Sequence, residues 1–256
     1  MAKNIFIEGL QGAGKSTLTS TVEKRRPDLH IYREGDLCPV ELAWCCYMTC
    51  EQYEQALKQY PDITEEIRKW TMQEGAYYIV AYTRIITDYP GFHKYMEQYE
   101  IYQGRKSLAE FRQIIFDRYS SFHGEGNVFE CAFFQNIIED LILYYQLPDE
   151  EIVEFYRQLW QHVEREHFLL IYLESEDISG NLMQIRRERV DADSNEVWYP
   201  LMIEYLKESP QGQTLGYQDF VDLVSHLEHR QKLELRICRE ILGEHAMILP
   251  SKKWQE

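Results

Sequence analysis

The stretch Asn4 to Thr17, NIFIEGLQGAGKST, decides how the rest of the chain is read. Asn4 to Glu8 is a short run of β-branched and aromatic residues, the composition of a buried strand. Gly9 to Ser16 fits the pattern G-x-x-x-x-G-K-[ST], and Lys15 to Lys24 reads as a helix. The order strand, glycine loop, helix has a physical purpose. Glycines let backbone N–H groups turn inward around phosphate oxygens with no Cβ in the way. The N-terminus of the following helix favours negative charge. Lys15 can reach terminal phosphates as a mobile cation, and the Ser16 hydroxyl is placed to ligate Mg²⁺. ATP or GTP with Mg²⁺ is the expected ligand. The residues expected to hold it are Gln11, Gly12, Ala13, Gly14, Lys15, Ser16 and Thr17.

Moving outward, short apolar runs alternate with helical stretches. His30–Glu34, Asn127–Cys131, Phe168–Leu173 and Ala246–Leu249 read as further strands. Helices are expected from Pro39 to Pro61, from an Asp62/Glu65 capping box to about Thr87, and after a Ser107/Glu110 capping box. Others are expected over Phe134–Gln146, from an Asp149 cap to about Glu166, and over Asp177–Arg189. Trp198–Glu208 and Tyr217–Leu242 read as the last two. Alternation of this kind implies a parallel sheet with helices on both faces. The expected architecture is a single α/β domain over 1–256, with a five-stranded parallel sheet in three α/β/α layers and a helical insertion at about 39–122.

The balance of charge is acidic, 27 Lys+Arg against 43 Asp+Glu, for a formal net charge of −16. Nucleic acid and anionic membrane are therefore not expected partners, because each demands a basic face. Four of the six cysteines crowd into 38–50 without paired C-x-x-C spacing, so reduced, mostly buried thiols are expected. The start, with four apolar residues leading into glycines, does not read as a signal peptide. No apolar stretch approaches the ~20 residues of a membrane span. A cytoplasmic protein is expected, with long helices offering faces for a possible homodimer.

The motif leaves several protein classes open. A base-reading [NT]-K-x-D of a GTPase is not found: Ser251-Lys252-Lys253-Trp254 lacks the aspartate. Asp88-Tyr-Pro-Gly91 matches D-x-x-G but reads as a turn. IFIEGLQGAGKST resembles the opening of the P-loop nucleoside and nucleotide kinases, especially the deoxynucleoside kinase and thymidylate kinase group. Tyr32-Arg33-Glu34-Gly35-Asp36 is similar to the family segment in which a carboxylate faces the phosphoryl acceptor. Glu130 stands where the family carries an Asp or Glu followed by Arg. FLLIYLESEDISGNLMQIRRER resembles the family's fourth strand, turn and Arg-bearing lid helix. The resemblance covers about half of the chain. It departs at Cys131, which replaces the arginine, and at Gly35-Asp36, which replaces a proline.

The resemblance implies a P-loop NTPase fold and an ATP- and Mg²⁺-dependent phosphotransferase acting on a small-molecule acceptor, a nucleoside or nucleotide. The two departures keep a non-nucleoside hydroxyl acceptor open, such as an antibiotic or sugar, and a non-catalytic nucleotide-binding protein is a third reading. Phosphoryl transfer needs charge neutralisation and alignment more than covalent chemistry. Lys15 and the loop serve the donor. Arg186, Arg187 and Arg189, in a lid at about 184–198, are candidate cations for its terminal phosphate. Arg186 and Arg189 are expected to share a helix face, although a solvated helix end would look the same. Glu34 is the candidate general base or positioner, with Asp36 as runner-up, against the plainer reading of an exposed polar turn. Glu130 joins Ser16 as a candidate metal ligand, or pairs with an arginine. Arg33 and Arg84 are candidate substrate contacts. Aromatic residues of the insertion (Trp44, Tyr47, Tyr53, Trp70, Tyr77, Tyr78, Tyr82) are either core or an acceptor pocket. His162 and Glu166 read as surface.

Overall fold

In chain order the strands are β1 (Asn4–Gly9), β2 (His30–Tyr32), β3 (Cys46–Thr49), β4 (Thr71–Glu74), β5 (Tyr77–Val80), β6 (Asn127–Glu130), β7 (Phe168–Glu174) and β8 (Ala246–Pro250). The helices are α1 (Lys15–Arg25), α2 (Cys50–Gln59), α3 (Thr64–Lys69), α4 (Phe92–Glu97), α5 (Leu108–Ser121), α6 (Gln135–Leu143), α7 (Asp149–His162), α8 (Ile178–Glu188), α9 (Trp198–Glu208), α10 (Pro210–Leu215) and α11 (Phe220–Ile237). This computed structural model describes residues 3–252. Lys253 and Trp254, read above for a base-recognition motif, and Met1 and Ala2 of the opening, lie outside the described residues. The backbone groups into two compact units. One takes the chain up to Ile31 and again from His123; the other is the contiguous stretch Tyr32–Phe122.

The expected parallel sheet is present, with five strands in the order β2-β6-β1-β7-β8. Alternation along β1 explains its two faces. Ile5 and Ile7 pack with Leu18 and Val22 of α1 and with Val128 and Leu173. Phe6 stacks on Phe129 at 4.7 Å and on Phe168 at 4.5 Å, with Phe133 edge-on at 6.1 Å. The register pairs Ile7 with Glu130 on β6 and Gly9 with Leu173 on β7. All strands run the same way, so the C-terminal ends of β1, β6, β7 and β8 meet at one edge. β1 is central, with its sequence neighbour β2 two strands away, so that edge holds a point where chain order reverses. Open α/β sheets bind their ligands at such a point.

The Tyr32–Phe122 unit corrects the helical expectation for 39–122: it is mixed. Its sheet is antiparallel, in the order β3-β5-β4. Cys46 opposes Val80, and Thr71 opposes Val80 from the other side. Tyr77-Tyr-Ile-Val80 is a β-branched and aromatic run, and Gly75, at φ 58°, opens a two-residue turn between β4 and β5. The Asp62/Glu65 box does not form. α3 begins after a 3₁₀ turn at Pro61–Ile63 with no side-chain cap. Ser107/Glu110 does form its box, and Thr49/Gln52 forms one that the sequence reading missed. Asp149 sits inside the first turn of α7 rather than capping it. The aromatics are mostly core: Tyr53 and Tyr82 are buried in one cluster, with Trp70 and Tyr78 packed against it. Two buried polar groups frame the unit. Tyr102 and the Leu42 and Ala43 amides donate to Glu41, and Arg118 donates to Glu74 and to the Cys38 carbonyl.

Candidate functional site

The first unit brings the loop residues together as follows. β1 ends at Gly9, whose φ of 139° is open to glycine alone, and an added Cβ would lie 2.6 Å from the Leu173 carbonyl oxygen of β7. Gly12, at φ 77°, sits under α8, where a Cβ would meet Ile185 Cδ1 at 2.8 Å. Gly14 starts α1 in the left-handed region and has no side chain to cap the first turn. The loop is thus pressed between β7 and α8 at its two narrow points, which explains the spacing of its glycines. The Ala13 amide closes back on the Leu10 carbonyl at 3.2 Å, and Ser251, just past β8, donates its hydroxyl to the Ala13 carbonyl at 3.0 Å.

Lys15 is buried. Its ammonium donates to the Gly9 and Leu10 carbonyls at 2.7 and 2.9 Å, so the cation lies folded onto its own loop. The Gln11 amide oxygen and the Thr19 hydroxyl are buried without hydrogen-bond partners among the described residues. Ser16 donates its hydroxyl to the Glu130 carboxylate at the end of β6. This joins the two residues read from the sequence as metal ligands, 114 positions apart. Glu130 is itself buried, a costly position for a carboxylate without a cation or donor beside it. The pair suits Mg²⁺: both donors are hard oxygens, and this ion takes one or two protein oxygens and completes its shell with water and phosphate.

No family model matches the chain, and no curated protein matches it.

The arginines lie at and just beyond the end of α8. Arg186 lies near the end of α8 and is held by Glu196 through two hydrogen bonds of 3.0 Å, with its guanidinium 3.8 Å above the Tyr199 ring. Glu196 thereby pushes the Arg186 pKa further up. Arg187 is exposed. Arg189 is the C-cap residue after α8, which stops at Glu188; its amide still donates to the Ile185 carbonyl at 2.8 Å and its guanidinium lies 5.8 Å from the centre of the Trp198 ring, next in sequence to Tyr199. Beyond it Val190 pairs with Glu196 in an antiparallel bridge, and the Val197 amide donates to the Arg189 carbonyl at 3.3 Å. Asp191 accepts from the Asp193 and Asn195 amides at 2.9 and 2.8 Å and closes the turn between them.

In the Tyr32–Phe122 unit, β2 ends at Tyr32, so Arg33 and Glu34 lie in a turn and not at a strand end. Asp36 makes that turn: it accepts from the Arg33 amide at 2.7 Å and pairs with Arg84, while Gly35 takes φ 83°. Two of the candidate acceptor residues therefore hold each other. Glu34 accepts from the Trp44 indole at 3.1 Å, and Trp44 is exposed and strained at φ 61°.

Sequence reasoning missed the role of Glu8, the left-handed backbone at Cys131 and the polar residues behind the sheet. On that side Arg230 is fully buried. It donates to Glu139 at 2.8 Å and to Glu234 at 3.0 Å, with the Tyr172 hydroxyl on Glu234 at 2.5 Å and the His226 ring nitrogen 3.1 Å from Glu139. Burial alone would raise the Glu139 pKa, but His226 and Arg230 outweigh it and hold it down at about 2. The available signal was the charged residue inside an apolar strand, as at Glu8, and the i, i+4 pair Arg230/Glu234. Among the described residues no helix is long and apolar enough to cross a membrane. The six cysteines are free, and all but Cys50 are buried.

Proposed function

We propose that the protein is a P-loop phosphotransferase that uses ATP and Mg²⁺ to phosphorylate a small-molecule acceptor, most simply a nucleoside or nucleotide. The observation that carries the reading is the Ser16–Glu130 pair beside Lys15 and the glycine loop. In this reading the loop amides and Lys15 hold the phosphates, and Ser16 and Glu130 hold the metal, directly or through water. Bound there, Mg²⁺ neutralises charge on the phosphate oxygens. Lys15 exchanges its two carbonyl partners for phosphate oxygens, a stronger charge-assisted bond. Arg186 and its neighbours reach the donor when the Glu196 pair opens. Glu34 keeps the proposed role of general base or positioner and Arg33 that of a substrate contact. Asp36 and Arg84 support the turn that carries them.

The test is transfer from radiolabelled ATP across a panel of nucleosides, nucleotides, sugars and aminoglycosides, with Lys15→Ala as the control. The expected result is transfer to a nucleoside or nucleotide and a loss of about 100-fold or more in Lys15→Ala. Unchanged turnover in that variant sinks the assignment. Transfer to other hydroxyl compounds alone redirects the acceptor, and tight ATP binding without transfer to any of them leaves a nucleotide-binding protein.

A further inference from the structure

Glu8 is the one charged residue of β1, and it is fully buried. Its carboxylate crosses to the segment after β6 and accepts from the Phe133 amide at 2.6 Å and the Gln135 amide at 3.4 Å. Those amides flank Phe134, the N-cap residue of α6, which makes no side-chain cap: Gln135 opens the helix and Phe133 precedes the cap. Glu8 therefore supplies, from another strand, the anionic cap that α6 lacks in its own sequence. The bend it anchors is unusual. Cys131 takes φ 63°, a left-handed conformation in a residue with a side chain, and its amide donates to the Ile7 carbonyl at 3.1 Å. The residue immediately before this bend is Glu130, whose carboxylate receives the Ser16 hydroxyl. The strained bend is thus tied to β1 at two successive residues, Ile7 by its carbonyl and Glu8 by its side chain, and the carboxylate that faces Ser16 sits on its rim.

We propose that Glu8 is a positioning residue: by capping α6 from β1 it fixes the Cys131 bend, aims Glu130 at Ser16, and so sets the affinity of the site for Mg²⁺ without touching metal or nucleotide. This rests on the Mg²⁺–nucleotide reading given above. The cap is strongest when Glu8 is ionised. Burial pushes its pKa up to about 7, against the Phe133 and Phe134 amides, with repulsion from Glu234 adding to the rise and Lys15 opposing it. The titratable groups facing Glu8 are Lys15 on α1, Glu234 on α11 and the Cys238 thiol just beyond α11. Behind Glu234 stand Arg230 and the Tyr172 hydroxyl of β7. Protonation near neutral pH makes one carboxyl oxygen a donor facing amides that also donate, and loosens the bend.

The experiment is ATP affinity by calorimetry, with and without Mg²⁺, at pH 6.5 and 8.5, for the wild type, Glu8→Gln and Glu8→Asp. ATP's own protonation is common to all three proteins and cancels in the comparison. At pH 8.5 the metal-free affinity of Glu8→Gln should stay within about twofold of wild type, because the loop is intact. The tightening conferred by Mg²⁺ should fall about 10-fold, the usual cost of losing a residue that orients a ligand. At pH 6.5 the wild type should approach the variant. Glu8→Asp, which keeps the charge but withdraws it from the Phe133 amide, should show the same loss and decides the matter should the glutamine variant fail to fold. Wild-type Mg²⁺ tightening in a folded variant at both pH values overturns the proposal. A wild type that binds no ATP overturns the nucleotide reading itself, a different result.

Discussion

At the scale of single residues, the chain places charge where burial makes it costly. Arg230 has no exposed surface and is compensated by Glu139 and Glu234, with one guanidinium nitrogen left without a partner among the described residues. Removing one member of a buried ion network strands the others. Arg230→Met should therefore lower the unfolding free energy by about 3–5 kcal/mol, read from urea denaturation; a loss under about 1 kcal/mol would mean that the carboxylates find water or protons instead. The sequence displayed Lys15, Ser16 and Glu130 as individuals, because each stands in a recognisable local pattern. It did not display Glu8 as their support. A carboxylate ending an apolar strand looks the same whether it faces solvent or the amides of a helix more than 120 positions away.

At the scale of elements, α8 is the informative case. Its start is an ordinary Asp177 cap on the Gly180 amide at 2.8 Å. Its body presses Ile185 against Gly12, and its end is drawn into the Val190–Glu196 bridge. Arg186 is consequently stored on Glu196 and Tyr199. The pair is partly exposed, so its net strength is modest, on the order of 1 kcal/mol or less. Glu196→Gln should free the guanidinium and tighten ATP binding about threefold by titration; weaker binding in that variant would argue that Arg186 serves only the turn. The three arginines were legible in the sequence. Their partners were not, because Glu196 and the rings of Trp198 and Tyr199 come back to α8 only through the Val190–Glu196 bridge and the start of α9. The insertion carries the same lesson. Cys46–Thr49 and Thr71–Glu74 lack strong strand composition, and they become strands by pairing with Tyr77–Val80, a contact the local pattern does not encode.

At the scale of the whole molecule, buried carboxyls set a pH dependence; burial raises Glu100 and Glu234 in the same sense as Glu8 and Glu41. Burial pushes Glu8 up to about 7, and it does the same to Glu41 against the Tyr102 hydroxyl. Both values lie above the ordinary 4.5, so the folded protein binds these protons more tightly than the unfolded chain does. Their contribution to stability is complete below about pH 4.5 and is lost as pH rises through about 7. Glu139 acts in the opposite sense: its contribution is present above 4.5 and is lost as pH falls towards 2. The unfolding free energy should therefore decline between pH 5 and pH 8, by an amount on the order of 1–3 kcal/mol per raised carboxyl. Denaturation at fixed ionic strength should show this slope, reduced in Glu8→Gln; a flat profile would mean that these buried carboxyls are not protonated in the folded state. If Glu8 also positions Glu130, Mg²⁺ binding improves over the pH range in which the fold loses stability, a conflict common where function needs a charge in a dry place.

The sequence by itself determined the parallel α/β sheet, the glycine loop and the identity of Lys15 and Ser16. Each is written in local periodicity or spacing, and local geometry is enough to produce it. It also fixed the acidic balance, a net charge of −16. Only the tertiary structure decided that Glu130 meets Ser16, that Glu8 braces the bend beside it, that Arg186 is held by Glu196, and that the residues from Tyr32 to Phe122 carry a second sheet. These depend on pairings between distant segments. Such pairings are set by which surfaces can be buried together and which polar groups must then be satisfied, and neither is readable one segment at a time.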